Sequence, residues 1–280
     1  MTNKTRFLSD TDCGPSPVIF EDLGKLRDDS DLGKCAFFDD DFLCPTTYAS
    51  ATAQAGNYTY QDTSVTITGK GINDTDKELG VLQIDVLDTD NDEGSIQFGV
   101  TNQWRLDRTA GNTSKVGYEV RVVCDELAAN ETGIMIGMVE GPVATALSVD
   151  NTGEIKTSTS FFGFRGLATD PANLDAIYQD TGASAPVTIL ANAAVLVEGT
   201  YSKLGFIFNP YDSDASKAAQ YVVDGVPVAY VNTTQVATST FPEGEAMVPF
   251  VLGKTFGSGT SGTVGLDRAT GFMYRNAVQG

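Results

Sequence analysis

Histidine is absent from the 280-residue chain. That absence excludes Ser-His-Asp and Cys-His catalysis and removes the commonest side-chain ligand of transition metals. Basic residues are scarce as well: 18 Lys and Arg face 37 Asp and Glu, leaving a formal net charge of −19. A surface of that sign is not built for nucleic acid or an anionic membrane. It suits a basic or cation-rich partner, or simply solubility, and a solvated acidic surface is the simpler account. Tryptophan occurs once, at Trp104. The four cysteines, Cys13, Cys35, Cys44 and Cys124, form no CxxC pair and lack zinc-finger spacing. No apolar run approaches the length of a membrane-spanning helix. Met1–Asp10 is polar, so no secretory leader is expected. Synthesis in a reducing cytoplasm and free, partly buried cysteines follow as expectations.

What is present is glycine, threonine, valine and alanine in short alternating runs, which favours an all-β class. The length suits one large sandwich rather than two domains. Leu82, Ile84 and Val86 form a wholly apolar set opposite Val81, Gln83, Asp85 and Leu87, so the first set is expected to face a core. Ile134, Ile136 and Met138 are expected to face inward too. Tyr118, Val120 and Val122 alternate with Glu119 and Arg121 as in a half-exposed strand. The organising stretch is Tyr201–Val231. Leu204, Phe206 and Phe208 alternate along one strand, and Asn209-Pro210 ends it. Tyr221-Val222-Val223 then meets Asp224-Gly225 and Val226-Pro227-Val228, a hairpin signal because both central residues tolerate positive φ. Pro227 assigns its strand to an edge or a bulge. Residues 168–185 read as an insertion, with Asp170-Pro171 opening a short helical turn. Residues 191–197 read as a short helix or a strand entry. Val264–Asp267 and Gly271–Arg275 read as two strands paired through the Arg268-Ala-Thr-Gly turn. Residues 1–41 show no sustained period and read as an arm preceding a domain at 42–280.

Several of these runs carry a resemblance. KLGFIFNP at 203–210, YVVDGVPV at 221–228, FPEGEAMVPF at 241–250 and, upstream, DTDNDEGSIQFG at 88–99 resemble, in that order, jelly-roll virion proteins of tailed bacteriophages. The likeness spans roughly residues 79–274. Those proteins are similar to the concanavalin A-like sandwich and include capsid decoration proteins. The resemblance implies an all-β, jelly-roll (concanavalin A-like) β-sandwich, here with an extended N-terminal arm. It carries no active-site residues with it.

Jelly rolls also include glycosidases and lectins, and each chemistry requires its own residues. A retaining glycosidase of this shape sets carboxylates at even spacing along one strand, as in E-x-D-x-x-E, so that they share a face. No such motif occurs; Glu119 is followed by Arg121, and Glu243 and Glu245 sit in a turn-like FPEGEAM. The acidic run Asp88–Gly94 fails as an EF-hand, because the sixth and twelfth places hold Glu93 and Gly99. A looser calcium loop competes there with a plain polar turn, which is preferred. Asp39-Asp40-Asp41 is read as a solvated turn rather than a metal cluster. Gly253-Lys254-Thr255 lacks the first glycine of a phosphate loop, since Val248 stands in its place. Sugar binding would need aromatic platforms, for which Trp104, Tyr58, Tyr60, Tyr118 and Tyr178 are the candidates; for Trp104 a buried core role is preferred.

The expectation is therefore a virion structural protein, not an enzyme, with no catalytic residue, cofactor or metal. It is expected to be made in the host cytoplasm and to sit on the capsid surface as a decoration or cement protein. Its partners are the major capsid protein and copies of itself, a trimer being favoured, with no nucleic acid and no membrane. The alternative is a lectin-like fibre or tail module that binds host glycans, and behind it a glycoside hydrolase. Val18, Ile19, Phe20 and Leu23 are the expected anchors of the arm, either on a neighbouring subunit or the shell, or on its own domain.

Overall fold

The computed structural model describes most of residues 81–275, apart from 87–89, 99–103, 110–113, 142–146 and 258–261. It also describes Ile19, the Phe38 side chain and the backbone of 35–40, 47–48, 54–55, 58–63 and 66–70. The strands are β1 Cys35–Asp40, β2 Thr47–Tyr48, β3 Gln54–Ala55, β4 Tyr58–Thr63, β5 Thr66–Lys70, β6 Val81–Val86, β7 Glu93–Gln97, β8 Ser114–Cys124 and β9 Thr132–Glu140. They continue as β10 Phe161–Leu167, β11 Asp170–Gln179, β12 Val187–Val195, β13 Ser202–Phe208, β14 Ala219–Val223, β15 Val226–Val231, β16 Met247–Thr255 and β17 Gly262–Arg275. All pair antiparallel. One sheet runs β15-β14-β13-β8-β17-β6-β5-β2, with β1 also paired to β17. The other runs β12-β11-β10-β9-β16-β7-β4-β3. β1 belongs to the sheet although its residues fall within the 1–41 segment read as an arm.

The core lies between the two sheets, and period-2 alternation decides which side chains enter it. Leu82, Ile84 and Val86 enter from β6, Tyr118, Val120 and Val122 from β8, and Leu204, Phe206 and Phe208 from β13. Ile134, Ile136 and Met138 enter from β9, and Phe162 and Phe164 from β10. Phe162 stacks on Tyr221, with centroids 4.8 Å apart. Two phenols bridge the sheets: the Tyr118 hydroxyl donates to the Phe250 carbonyl at 3.3 Å, and Tyr221 donates to that of Ile177 at 2.7 Å. Burial raises both phenols well above the ordinary tyrosine value. Cys124 is free and buried, its thiol pushed up to about 12 by burial and by the Asp125 charge.

Local chemistry explains the edge of the larger sheet. Asp224 and Gly225 have φ of 48° and 78°, the left-handed pair that a tight hairpin needs. Pro227 lies on the edge strand β15, next to a register shift between Tyr221 and Val222. Pro249 is instead tolerated inside the central strand β16. Its carbonyl accepts from the Phe98 N–H, just past the last ladder pair with β7 (Phe250 with Gln97), so its missing N–H faces the end of that pairing.

Two segments differ from the expectations drawn from sequence, and a third takes one of the two readings left open. Residues 170–179 are not an insertion with a helical turn but β11, a strand whose Leu174, Ala176 and Tyr178 enter the core. Residues 191–195, open between helix and strand entry, belong to a strand, β12, whose register against β11 shifts at bulges, with Asn192 at φ 53°. Gly262–Arg275 is one strand rather than a hairpin. A bulge at Asp267 interrupts its ladder with β8, and Asp267 pairs there with Arg121.

Candidate functional site

The central strands of each sheet also turn one set of side chains to an outward face, away from the core. Register assigns the residues of that face on the smaller sheet in rows. One row is Gln179, Phe161, Val139 and Val248; the next is Ile177, Gly163, Gly137, Phe250 and Gln97; then Asp175, Arg165, Met135, Leu252 and Ser95; last Gly133, Lys254 and Glu93. The middle is apolar, and ionic groups stand on its flanks. Gly137 and Gly163 face each other at the centre. A Cβ on either would collide with a carbonyl oxygen of the other's strand, so β9 and β10 approach too closely for any side chain there.

The chain itself covers this face. Residues 147–156 form a hairpin: Ser148 bridges Ile155, Lys156 donates to the Leu147 carbonyl at 3.1 Å, and the turn uses Asn151 and Gly153 at φ 59° and 74°. Leu147 and Ile155 project into the face and complete a buried cluster with Met135, Val139, Phe161, Ile177, Val248, Phe250 and Leu252. Burial of this kind contributes about 1.5–3 kcal/mol per large apolar side chain.

Polar ties hold the hairpin in place. Glu93, fully buried, accepts from the Leu147 N–H at 2.6 Å, the Ser148 N–H at 3.2 Å and the Ser148 hydroxyl at 2.6 Å. Lys254, equally buried, lies 3.5 Å from Glu93 and donates to Asp150 of the hairpin at 3.1 Å. Asn91 and Asn151 exchange hydrogen bonds of 2.8 and 3.3 Å, zipping the 90–93 turn to the hairpin tip. On the opposite flank Arg165, buried on β10, pairs with Glu154 of the hairpin and lies 3.3 Å from Asp175, which also accepts from the Asn192 N–H. Gln179 donates to the carbonyls of Lys156 and Thr159 at 2.9 and 3.1 Å. Two buried ionic groups of opposite order, Glu93–Lys254 and Arg165–Asp175, thus clamp one apolar cover. Their chemistry is positional: each charge faces a fixed partner.

A second set of acids gathers at the other end of the same sheet. Glu140 accepts from the Ser160 N–H at 3.3 Å and from the Thr181 hydroxyl, while the Ser160 hydroxyl donates to Asp180 at 3.0 Å. Burial raises the Glu245 carboxyl above its ordinary value, the charges of Glu140 and Asp180 add to that, and Arg105 opposes it. Glu243 points elsewhere: it pairs with Arg108 at 2.9 Å, and Gly244 at φ 74° turns the chain between the two glutamates. The pair is therefore not carried on one strand face.

The residues weighed from sequence fall out as follows. Trp104 is buried beside Phe38, with ring centroids 5.8 Å apart. Tyr118 and Tyr178, considered as sugar platforms, are wholly inside the core, because both point between the sheets. The side chains of Tyr58, Tyr60 and Asp39–Asp41 lie outside the described residues. Glu119 is buried on the outward face of the other sheet. Among the described residues, no group of three His, Cys, Asp or Glu is placed to hold a metal ion. Ile19 is buried on its own domain, against Ile207, Val222 and Phe272. It occupies a trough over Gly117 and Gly205, where a Cβ would come within 2.9 and 2.7 Å of it. Val18, Phe20 and Leu23 lie outside the described residues. Sequence reasoning passed over Glu93, taken as part of a polar turn, and Lys254, rejected as a phosphate-loop lysine. The signal was there: Lys254 is the only charge in residues 246–256, and an isolated charge in such a strand needs a buried partner.

No family model matches the chain, and no curated relative does. Solved structures do. A protein of unknown function from Shewanella oneidensis MR-1 aligns with a TM-score of 0.54 at 10% identity, over 88% of this chain and 89% of that one. Basic winged bean lectin with Tn-antigen aligns at 0.52 and 11% identity, over 87% and 100%. The endo-1,3-beta-glucanase from Streptomyces sioyaensis aligns at 0.52 and 12% identity, over 86% and 97%. At such identities the likeness is one of fold. The chain is a lectin-like jelly-roll β-sandwich.

Proposed function

We propose that this chain is a non-catalytic structural sandwich, a phage virion protein of the capsid decoration type. The observation that carries the non-catalytic part is the covered face. The apolar centre of the smaller sheet is filled by Leu147 and Ile155 of the chain's own hairpin, and the flanking charges are spent on tying that hairpin down. The virion part rests on the order of the four motifs that resemble phage jelly-roll proteins. The partners under this reading are the major capsid protein and further copies of the chain. The mechanism is mechanical: an interface of about 1,600 Å² across joints between capsid subunits raises the barrier to shell rupture.

A second reading is a carbohydrate-binding module, favoured by the fold shared with basic winged bean lectin. The two separate experimentally. Purified protein added to undecorated, expanded heads of the phage that encodes it is expected to co-sediment with them and to raise their rupture temperature, with no glycan present. A clear hit on a glycan array together with no binding to heads favours the carbohydrate reading. Release of reducing sugar from a glycan panel, abolished by Glu245→Gln, overturns the non-catalytic one.

A further inference from the structure

We infer that the chain pairs with a second copy of itself through the end of the sandwich where β12 and β15 lie side by side. These are the terminal strands of the two sheets, and they are neighbours in space. Among the described residues six large hydrophobic side chains are exposed. Five of them, Leu190, Val195, Val197, Val226 and Tyr230, lie on or directly after these two strands; the sixth, Val149, is on the covering hairpin. Scattered single exposed apolar residues are ordinary, but concentration at one end is not.

Charge says what covers that end. One residue in five is charged across the chain (20%), yet residues 181–197 and 225–242 contain no Asp, Glu, Lys or Arg; the charge that reaches the patch is Lys217, 5.9 Å from the Tyr230 ring and paired with Asp214. A basic partner would be drawn to the acidic remainder of the surface rather than here. Two copies carrying −19 each repel one another least where the surface holds fewest net charges, and here the Lys217 cation is balanced by Asp214, so this end fits its own likeness. The area suffices. Nine residues of β12 span about 30 Å, and the sheets stack about 10 Å apart, so with side chains the end presents on the order of 600 Å² per copy. That is the lower range of a stable dimer. Side chains, not a shared ladder, make the contact. The bulges of β12 and Pro227 of β15 interrupt the edges that continuous strand addition would need. The contact is two-fold, each patch meeting its equal, so every substitution in it acts twice.

The inference stands apart from the capsid reading, and its test uses neither shell nor glycan. Sedimentation velocity of the full chain over a dilution series is expected to show a monomer–dimer equilibrium. Val195→Glu with Val226→Glu, at positions about 60% exposed (62% and 60%), is expected to weaken it at least about tenfold with an unchanged melting temperature. Val149→Glu is expected to leave it unchanged. Mixing the double glutamate variant with the Val195→Lys, Val226→Lys variant is expected to restore a mixed dimer, because each patch then meets its opposite charge. A wild-type monomer at every concentration overturns the inference. So does a dimer indifferent to the glutamates, or one lost to both variants and not restored by mixing them.

Discussion

Lys254 lies beneath a covering hairpin on the outward face of one sheet, Ile19 itself covers the outward face of the other, and the two covers are built differently. Over the smaller sheet the cover is an internal hairpin, closed by strands on both sides in sequence and tied by buried ionic groups at two flanks. Over the larger sheet the described cover is one side chain, Ile19, in a trough made by Gly117 and Gly205 among Ile207, Val222 and Phe272. The first combines apolar burial with fixed polar partners, so opening it exposes unpaired charge as well as hydrocarbon. The described contact of the second is apolar and set by shape, and such contact is non-directional. One cover thus carries fixed polar partners, while the described part of the other is a hydrophobic contact.

The largest effect is expected on the first cover. Lys254→Met leaves Glu93 buried without its cation and is expected to cost about 3–5 kcal/mol in equilibrium denaturation. Adding Glu93→Gln should recover much of that loss, since a neutral amide no longer requires the charge. If Lys254→Met costs less than about 1 kcal/mol, apolar contact alone holds the hairpin and the contrast between the covers disappears.

The second cover should yield more cheaply. Ile19→Ala is expected to cost about 2 kcal/mol. Gly117→Ala pushes a methyl into the Phe272 ring and towards Ile19, so the two substitutions should combine to less than their sum. Deleting residues 2–30 should lower the melting temperature by a similar amount while leaving the far-UV spectrum of a β-sandwich. Should the deletion leave the melting temperature alone and impair self-association or shell binding instead, Ile19 serves a neighbour rather than its own sheet.

The smallest effect concerns Glu245, at the end of β16 opposite Lys254. Its carboxyl is raised above the ordinary value of 4.5, so the folded chain holds that proton more tightly than the unfolded one. The sign follows: ionised Glu245 disfavours the fold above its raised value, and the penalty is relieved as pH falls towards 4.5. Glu245→Gln is therefore expected to stabilise at pH 7 by less than about 1 kcal/mol, solvent screening the group. The gain should vanish in acid. A gain that is constant with pH, read from melting curves, means that packing rather than charge is responsible.

Local chemistry was legible without the structure. Asp224-Gly225 and Pro227 specify a turn and an edge through backbone torsion and a missing donor, properties that need no distant partner. The alternation in β6, β9 and β13 likewise names its own buried face. Reading failed where a local signal met a tertiary override. Asp170-Pro171 looks like a helix start, but β10 and β12 on either side hold that segment extended. Asp267 looks like part of a turn, yet it is a bulge paired with Arg121 of β8. Tyr118 looks like a half-exposed platform until both sheets close over it.

By itself the sequence determined the fold class of this protein: short alternating strands in an acidic, histidine-free chain. Which charges are buried together, and at which end of the sandwich the exposed apolar side chains gather, only the tertiary structure decided. Glu93 meets Lys254 across two adjacent strands far apart in the chain, and β12 meets β15 across two different sheets. Side-chain period tells each strand which face is which, but it carries no information about the strand that will lie alongside.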